Sequence, residues 1–552
     1  MLACSQIARK VSRNLQYRAS YGDDDVIFPD LYEASIEDLQ AGLDAGHYTS
    51  VDLVKAYFAR IEEVNLKGPA LHAVLELNPS ASKHAAALDV ERRLIGKRSA
   101  LHGIPVLLKD NLAILSQEGL NTTAGSYSLL GSIVPEDAGV VKRLRKAGAI
   151  FLGKANLCEF SHFRGSNVSY GWSGRGGQTT SAYYPNANPA GSSSGSGVAA
   201  SIGLAAVTLG TETDGSINQP SSFNNVVGIK PTLGLTSRAG VIPITEHQDT
   251  VGPITRSLSD AATVLSIIAG TDPNDNYTFA QPSVIPDYTL ALNPSALTLK
   301  GKRIGVPRRV FLNNSIVQND QYVNVAFGQA LDTLKELGAT VVDPADLPSA
   351  EEIGASIGKR SVGRTDFKIQ INNYFNSLLE NPSGVRSLAD LISFNNAHPD
   401  LEMPDAFDQD ALIRAEATSG RNDIYFRELA HYKELGTSLG IDAALNEHKL
   451  DALVLPGSGM STTPSAIAGY PIVTVPMGFY PDNVTIKPVG PYTVYPAPGV
   501  PIGLAFLGTA FSEFQLIGMA YAYEQKTKTR LARKAFDAAI PRTQLKDVVG
   551  KK

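Results

Sequence analysis

Apolar residues return at intervals of three and four between Thr49 and Asn65, where Val51, Val54, Phe58, Ile61 and Val64 recur with Leu53 and Tyr57 beside them. That spacing puts them on one face of a helix over 49–65, and Thr49 or Ser50 can cap its start. A short strand is predicted over 73–77, stopped by Asn78-Pro79, and a second helix over 81–94. The run Ile104-Pro105-Val106-Leu107-Leu108 is apolar without alternation and has turn signals on both sides, the pattern of a buried strand. Further along, helix is predicted over 140–147, 198–204, 323–337 and 512–525. Strand is predicted over 149–153, 205–209, 302–307, 450–455, 472–475 and 502–507. The Pro- and Asn-rich stretch 273–299 reads as loop. Alternation of this kind predicts an α/β fold, a sheet with helices on its faces.

The segment 345–448 differs: it is helix-prone, interrupted by Pro382, Pro399 and Pro404, and carries no catalytic motif. It is expected to be a substrate-facing insertion, with plain structural packing as the alternative. The net charge is −5 over 552 residues, with no basic field to hold a phosphate backbone, so nucleic acid is not an expected partner. No apolar run is long enough for a membrane span. Cys4 and Cys158 are the two cysteines, too few for a disulfide framework, which favours a reducing, cytoplasmic location. The first 20 residues carry Arg9, Lys10, Arg13 and Arg18 and no acid. They read as a disordered basic tail over 1–25, with a mitochondrial presequence as the alternative. The nine histidines show no metal-ligand spacing, so neither metal nor cofactor is expected.

Three segments carry the candidate chemistry. Gly103-Ile104-Pro105-Val106-Leu107-Leu108-Lys109-Asp110-Asn111 delivers a lysine at the end of the buried strand. Pro189-Ala190-Gly191-Ser192-Ser193-Ser194-Gly195-Ser196-Gly197 is a serine-rich loop leading into an apolar helix. Gly210-Thr211-Glu212-Thr213-Asp214-Gly215-Ser216-Ile217 places another serine in a tight turn. A serine hydroxyl is a weak nucleophile and needs a base; a lysine serves if burial keeps it neutral. The N–H groups of Thr213, Asp214, Gly215 and Ser216 are the natural donors for an oxyanion. The bland readings are a strand-end lysine that snorkels or pairs with Asp110, and an ordinary Asp-Gly turn.

Together these segments resemble the amidase signature family, densely over 102–256 and more weakly over 468–476 and 501–504. The resemblance implies a single large domain over 26–540, with a mixed central sheet flanked by helices on both faces. The catalytic core would span about 100–260 and a C-terminal tail 541–552. It also implies a triad of Lys109, a serine in a cis peptide (Ser192) and the nucleophile Ser216, hydrolysing a carboxamide through an acyl-enzyme. Acyl transfer from the same intermediate is the alternative, and a non-catalytic scaffold a lesser one. The phrases Phe163-Arg164-Gly165-Ser166-Asn167 and Gly171-Trp172-Ser173-Gly174-Arg175 look most like the peptide-amidase branch. Trp172, Ser193 and Asn218 are expected near a small-molecule or peptide amide substrate. The chain departs from the commonest family pattern at Asp214, at Glu212 in place of aspartate, and at Asn218 in place of arginine. The sequence does not set the oligomeric state, and a homodimer is compatible with it.

Overall fold

The apolar runs pair into one sheet in a computed structural model that describes residues 27–294, 297–317, 320–356 and 361–550. The tail expected over 1–25, with Cys4, lies outside the described residues. The strands are β1 (Val74–Leu77), β2 (Pro105–Lys109), β3 (Ile150–Ala155), β4 (Val207–Glu212), β5 (Val227–Lys230) and β6 (Thr250–Thr255). They continue with β7 (Arg303–Gly305), β8 (Thr340–Val342), β9 (Ala452–Pro456), β10 (Ile472–Phe479) and β11 (Pro501–Leu507). Their order is β1-β3-β2-β4-β6-β5-β10-β11-β9-β7-β8. The sheet is mixed: β3, β2 and β4 run parallel, β4 meets β6 antiparallel, and β7 restores parallel pairing with β9 and β8. Every residue of β2, β3, β4, β5, β6, β9 and β11 is buried, so helices and loops cover both faces at the centre.

Local signals explain most helix starts. The helix Ser50–Val64 opens on a capping box in which Thr49 and Asp52 satisfy each other's backbone N–H groups. The helix expected over 198–204 instead spans Ser194–Ser201. Serine hydroxyls supply partners that apolar spacing does not register: Ser196 Oγ donates to the Leu209 carbonyl at 2.9 Å, and Thr208 Oγ1 donates to the Ser196 carbonyl at 3.1 Å. Gly195 lets this helix touch the backbone just before β1 and just beyond β3, since a Cβ there would lie 2.2 Å from the Ala73 carbonyl oxygen and 2.6 Å from the Asn156 backbone nitrogen.

Parallel pairing puts the C-terminal ends of β2 and β4 side by side, with Leu108 opposite Leu209. Lys109 and the 211–216 turn therefore emerge at one edge of the sheet, where α/β folds place ligands. The N-terminus of Ser194–Ser201 reaches the same edge, because Gly195 N–H donates to the Asn156 carbonyl just beyond β3.

The helices Ser361–Ser377, Leu388–Ala397, Asp410–Glu416 and Asp423–Gly436 occupy the segment that lacks motifs. Pro399 opens a short helix, Pro399–Glu402, rather than breaking one. Phe367 stacks on Phe163 at 4.4 Å between ring centroids, and Phe407 on Trp172 at 4.0 Å. Arg164, fully buried, ties the two parts together: its guanidinium pairs with Glu159 at 2.5 Å and with Glu402 at 3.2 Å. The tail expected at the C-terminus is a correction. Residues 541–550 pack on the domain, with Leu545 buried and the buried Arg60 guanidinium donating to the carbonyls of Pro541 and Thr543. A buried arginine needs carbonyl partners, and this segment supplies them.

Arg164→Leu leaves the buried carboxylates of Glu159 and Glu402 without their cation. Such a loss costs about 3–5 kcal/mol, expected as a lowered thermal midpoint. An unchanged midpoint would contradict the buried ion pair's role in holding the segment.

Candidate active site

The lysine that ends β2 has no exposed surface. Its Nζ lies 2.7 Å from Ser192 Oγ, 2.8 Å from Thr211 Oγ1 and 3.2 Å from the Thr211 carbonyl oxygen. Among the described residues no carboxylate stands within 4 Å of it. Asp110 turns the other way, accepting from the N–H groups of Thr123 and Gly125 and lying 3.9 Å from Lys154. Burial pulls the Lys109 amine down to about 7, against the weaker opposing fields of Cys158, Asp249 and Glu212. A neutral amine has two N–H donors and one lone pair. The Thr211 carbonyl can only accept, and Thr211 Oγ1 already accepts from Asn111 Nδ2 at 2.9 Å. A neutral amine that gives both N–H groups to Thr211 has its lone pair left for the Ser192 hydroxyl.

The Gly191–Ser192 peptide is cis. Cys158 packs behind it: its N–H donates to the Ser192 carbonyl, and its Sγ accepts from Gly171 N–H at 3.1 Å. The Ser193 N–H donates to the Ser216 carbonyl at 3.2 Å, so the serine loop and the 213–216 turn abut. Gly215, at φ +84°, closes that turn in a conformation that favours glycine. The backbone N–H groups of Thr213, Asp214, Gly215 and Ser216 donate to no other group among the described residues. No hydrogen bond joins Ser192 Oγ to Ser216 Oγ; both residues line one cavity of about 300 Å³. Proton-relay contacts of this kind often tighten only when substrate is bound.

That cavity mixes polar and apolar lining, and Gln219, Thr245 and Gln248 are among its polar residues. Ser192, Ser216, Thr213 and Asp214 line it, and the Asp214 carboxylate is held by the hydroxyls of Thr462 and Thr463 at 2.7 and 2.9 Å. Phe163, Ile244, Val362, Leu429, Tyr432, Met460 and Ile467 supply its apolar lining. His247 stands at the edge with both ring nitrogens engaged, by Tyr277 Oη at 2.7 Å and Tyr425 Oη at 3.0 Å. Glu246, His247 and Asp366 come close enough to suggest a metal site. The Arg421 guanidinium bonds both of those carboxylates, so the donor set is already spent.

Lys109, Ser192, Ser216 and the four N–H groups thus come together. The three expected substrate contacts do not line the cavity. Trp172 is buried between Phe407 and the Arg164 guanidinium. Ser193 donates to the Thr211 carbonyl at 3.1 Å. Asn218 is buried, with its amide on Glu212 and Thr474. Side-chain direction in a tight turn depends on tertiary partners that the sequence does not display. Thr211, which accepts from Lys109, and Asn111, which donates to Thr211 Oγ1, both lie within the quoted motifs but were missed as parts of the site. Their position at the ends of β4 and β2 was the available signal.

A family model described as Amidase matches residues 52–517. The chain belongs to the amidase family. It is 43% identical to a protein of Arabidopsis thaliana described as a probable amidase, over 91% of each chain. Among solved structures it is similar to the native peptide amidase from Stenotrophomonas maltophilia, with 44% identity, 92% and 99% of the two chains covered, and a TM-score of 0.81. A peptide amidase in complex with the competitive inhibitor chymostatin gives the same identity and TM-score, with 91% and 99% covered. The fold expected from the sequence, one large mixed α/β unit, is the fold of these amidases.

Lys109 makes the stability of this amidase depend on pH in a definite direction. An unfolded lysine holds its proton up to about 10.4, whereas the folded one releases it near 7. Between those values the unfolded chain binds more protons, so stability rises with pH. The burial penalty is complete below about 7 and gone above about 10.4. The thermal midpoint of the wild type relative to Lys109→Met is expected to climb between pH 7 and 10. A constant difference would mean that Lys109 is charged in the fold.

Proposed function

We propose that this amidase cleaves the C–N bond of linear carboxamides, using Ser216 as nucleophile, Ser192 as proton relay and Lys109 as base. The observation that carries the reading is the buried Lys109 amine 2.7 Å from the Oγ of Ser192, a residue that lines the same cavity as Ser216. Neutral Lys109 takes the Ser192 proton while Ser192 takes that of Ser216. Ser216 Oγ attacks the carbonyl carbon, and the oxyanion meets the free N–H groups of residues 213–216. The proton returns through Ser192 to the leaving nitrogen as the C–N bond breaks, releasing ammonia or an amine. Water then enters, gives its proton to the same relay, and frees the acid from Ser216.

The apolar lining favours an acyl group with a bulky apolar side chain. Val362, Leu429 and Tyr432 bring the 345–448 segment into substrate recognition. The likeness to peptide amidases makes peptides with an amidated, apolar C-terminal residue the first substrates to try.

The test combines turnover with covalent labelling. Wild type is expected to release ammonia from such peptide amides and to gain one fluorophosphonate adduct by intact mass, with chymostatin competing. Ser216→Ala is expected to lose both, and Lys109→Met to fall by at least about a thousandfold in kcat. Wild-type rates in Ser216→Ala would overturn the reading.

A further inference from the structure

We propose that Glu212 and Asn218 form a clamp that positions the nucleophile turn, making both of them positioning residues for the amidase reaction. The proposal rests on Ser216 being the nucleophile. Glu212 ends β4 and is almost fully buried. One carboxylate oxygen accepts from the backbone N–H groups of Ile217 at 2.7 Å and Asn218 at 2.9 Å. The Asn218 side-chain amide donates to the same carboxylate at 2.8–2.9 Å. The side chain of the residue before the turn thus grips the backbone just after it. Residues 213–216 are held as a closed loop whose own N–H groups remain free for a ligand.

The clamp is anchored from outside on two sides. Thr250 Oγ1 on β6 donates to the Glu212 carbonyl at 3.1 Å, fixing the strand end. Thr474 Oγ1 on β10 donates to Asn218 Oδ1, fixing the amide and orienting its Nδ2 toward Glu212. Burial pushes the Glu212 carboxyl above the ordinary carboxylate range, opposed by the Lys230 ammonium and by the donors of Ile217 and Asn218 that converge on it. A carboxylate is required because every group facing it is a donor. Without the clamp, the turn would keep its ties from Thr213 to Asp249, from Asp214 to Thr462 and Thr463, and from the Ser216 carbonyl to Ser193, but the backbone that follows Ser216 would lose its anchor to the strand end. Misplacement on the scale of 1 Å in such a site can cost about a hundredfold.

The hydrogen-bond senses make a rescue possible. Glu212→Gln keeps the shape but turns an amide N–H₂ toward the Asn218 N–H₂, so that one of the two must swing away. Adding Asn218→Asp restores a complete set: the introduced amide would donate to the introduced carboxylate, which would still accept from Thr474. The experiment measures kcat, KM and fluorophosphonate labelling rate per folded molecule, with folding followed by circular dichroism. Glu212→Gln is expected to lose about tenfold in kcat and labelling rate with KM little changed. The double variant should recover to within about threefold of wild type. If Glu212→Gln does not fold, Thr474→Val tests the outer anchor with minimal change of shape. It should lose about threefold in kcat with its melting curve preserved.

Wild-type kcat in folded Glu212→Gln, or in folded Thr474→Val if Glu212→Gln does not fold, would overturn the proposal. So would a double variant no better than the single one. A wild type that takes no label on Ser216 would instead remove the catalytic assignment, and the clamp's role with it.

Discussion

The arrangement depends on an amine buried where no carboxylate can neutralise it. Lys109 has no exposed surface, and its partners are two hydroxyls and a carbonyl. Keeping an ammonium there would require desolvation without an ion pair, which proteins avoid by shifting the pKa. The neighbouring sheet edge shows the contrast. Lys154, equally buried, bonds the Leu112 carbonyl and Thr122 but also has Asp110 at 3.9 Å. The carboxylate keeps its shift smaller, to about 8. Two adjacent strands therefore carry buried lysines near their C-terminal ends with different company, and the one without a carboxylate within 4 Å is the one beside Ser192.

The sheet makes that company possible. Parallel pairing of β2 with β4 brings Lys109 beside Thr211, and the helix starting at Ser194 brings the serine loop onto the same edge. The turn after β4 then presents its free N–H groups to the cavity, with Gly215 giving the bend and Asp214 drawn aside by Thr462 and Thr463. Polar groups with partners are thereby separated from polar groups left free for a ligand. The partnered ones hold the frame, and the free ones meet the substrate.

Much of this was legible in the chain. Lys109 follows an unbroken apolar run, which places it at the end of a buried strand, and Ser216 follows an Asp-Gly pair that bends the backbone. Local patterns of this kind survive folding because strand burial and turn geometry are decided within a few residues. Other features were not legible, for physical reasons. The helix at 194–201 begins four residues earlier than apolar spacing predicts, because serine hydroxyls rather than apolar contacts hold its first turn. Asn218 follows the nucleophile by two residues yet faces inward, because Glu212 and Thr474 claim its amide. The cavity wall joins Phe163, Leu429 and Met460, residues whose meeting is set by tertiary packing and leaves no periodic trace. The docking of the segment that begins at Pro541 turned on Arg60, a residue within a helix far away in sequence.

The most direct measurement is the pH dependence of Ser216 modification by a small fluorophosphonate, in the wild type and in Lys109→Met. A neutral, buried Lys109 acting as base predicts a rate that rises through a single proton loss near pH 7 in the wild type. The variant should give a slow rate without that step. A wild-type profile flat from pH 5 to 9, or the same step retained without Lys109, would contradict the assignment of this lysine as the base.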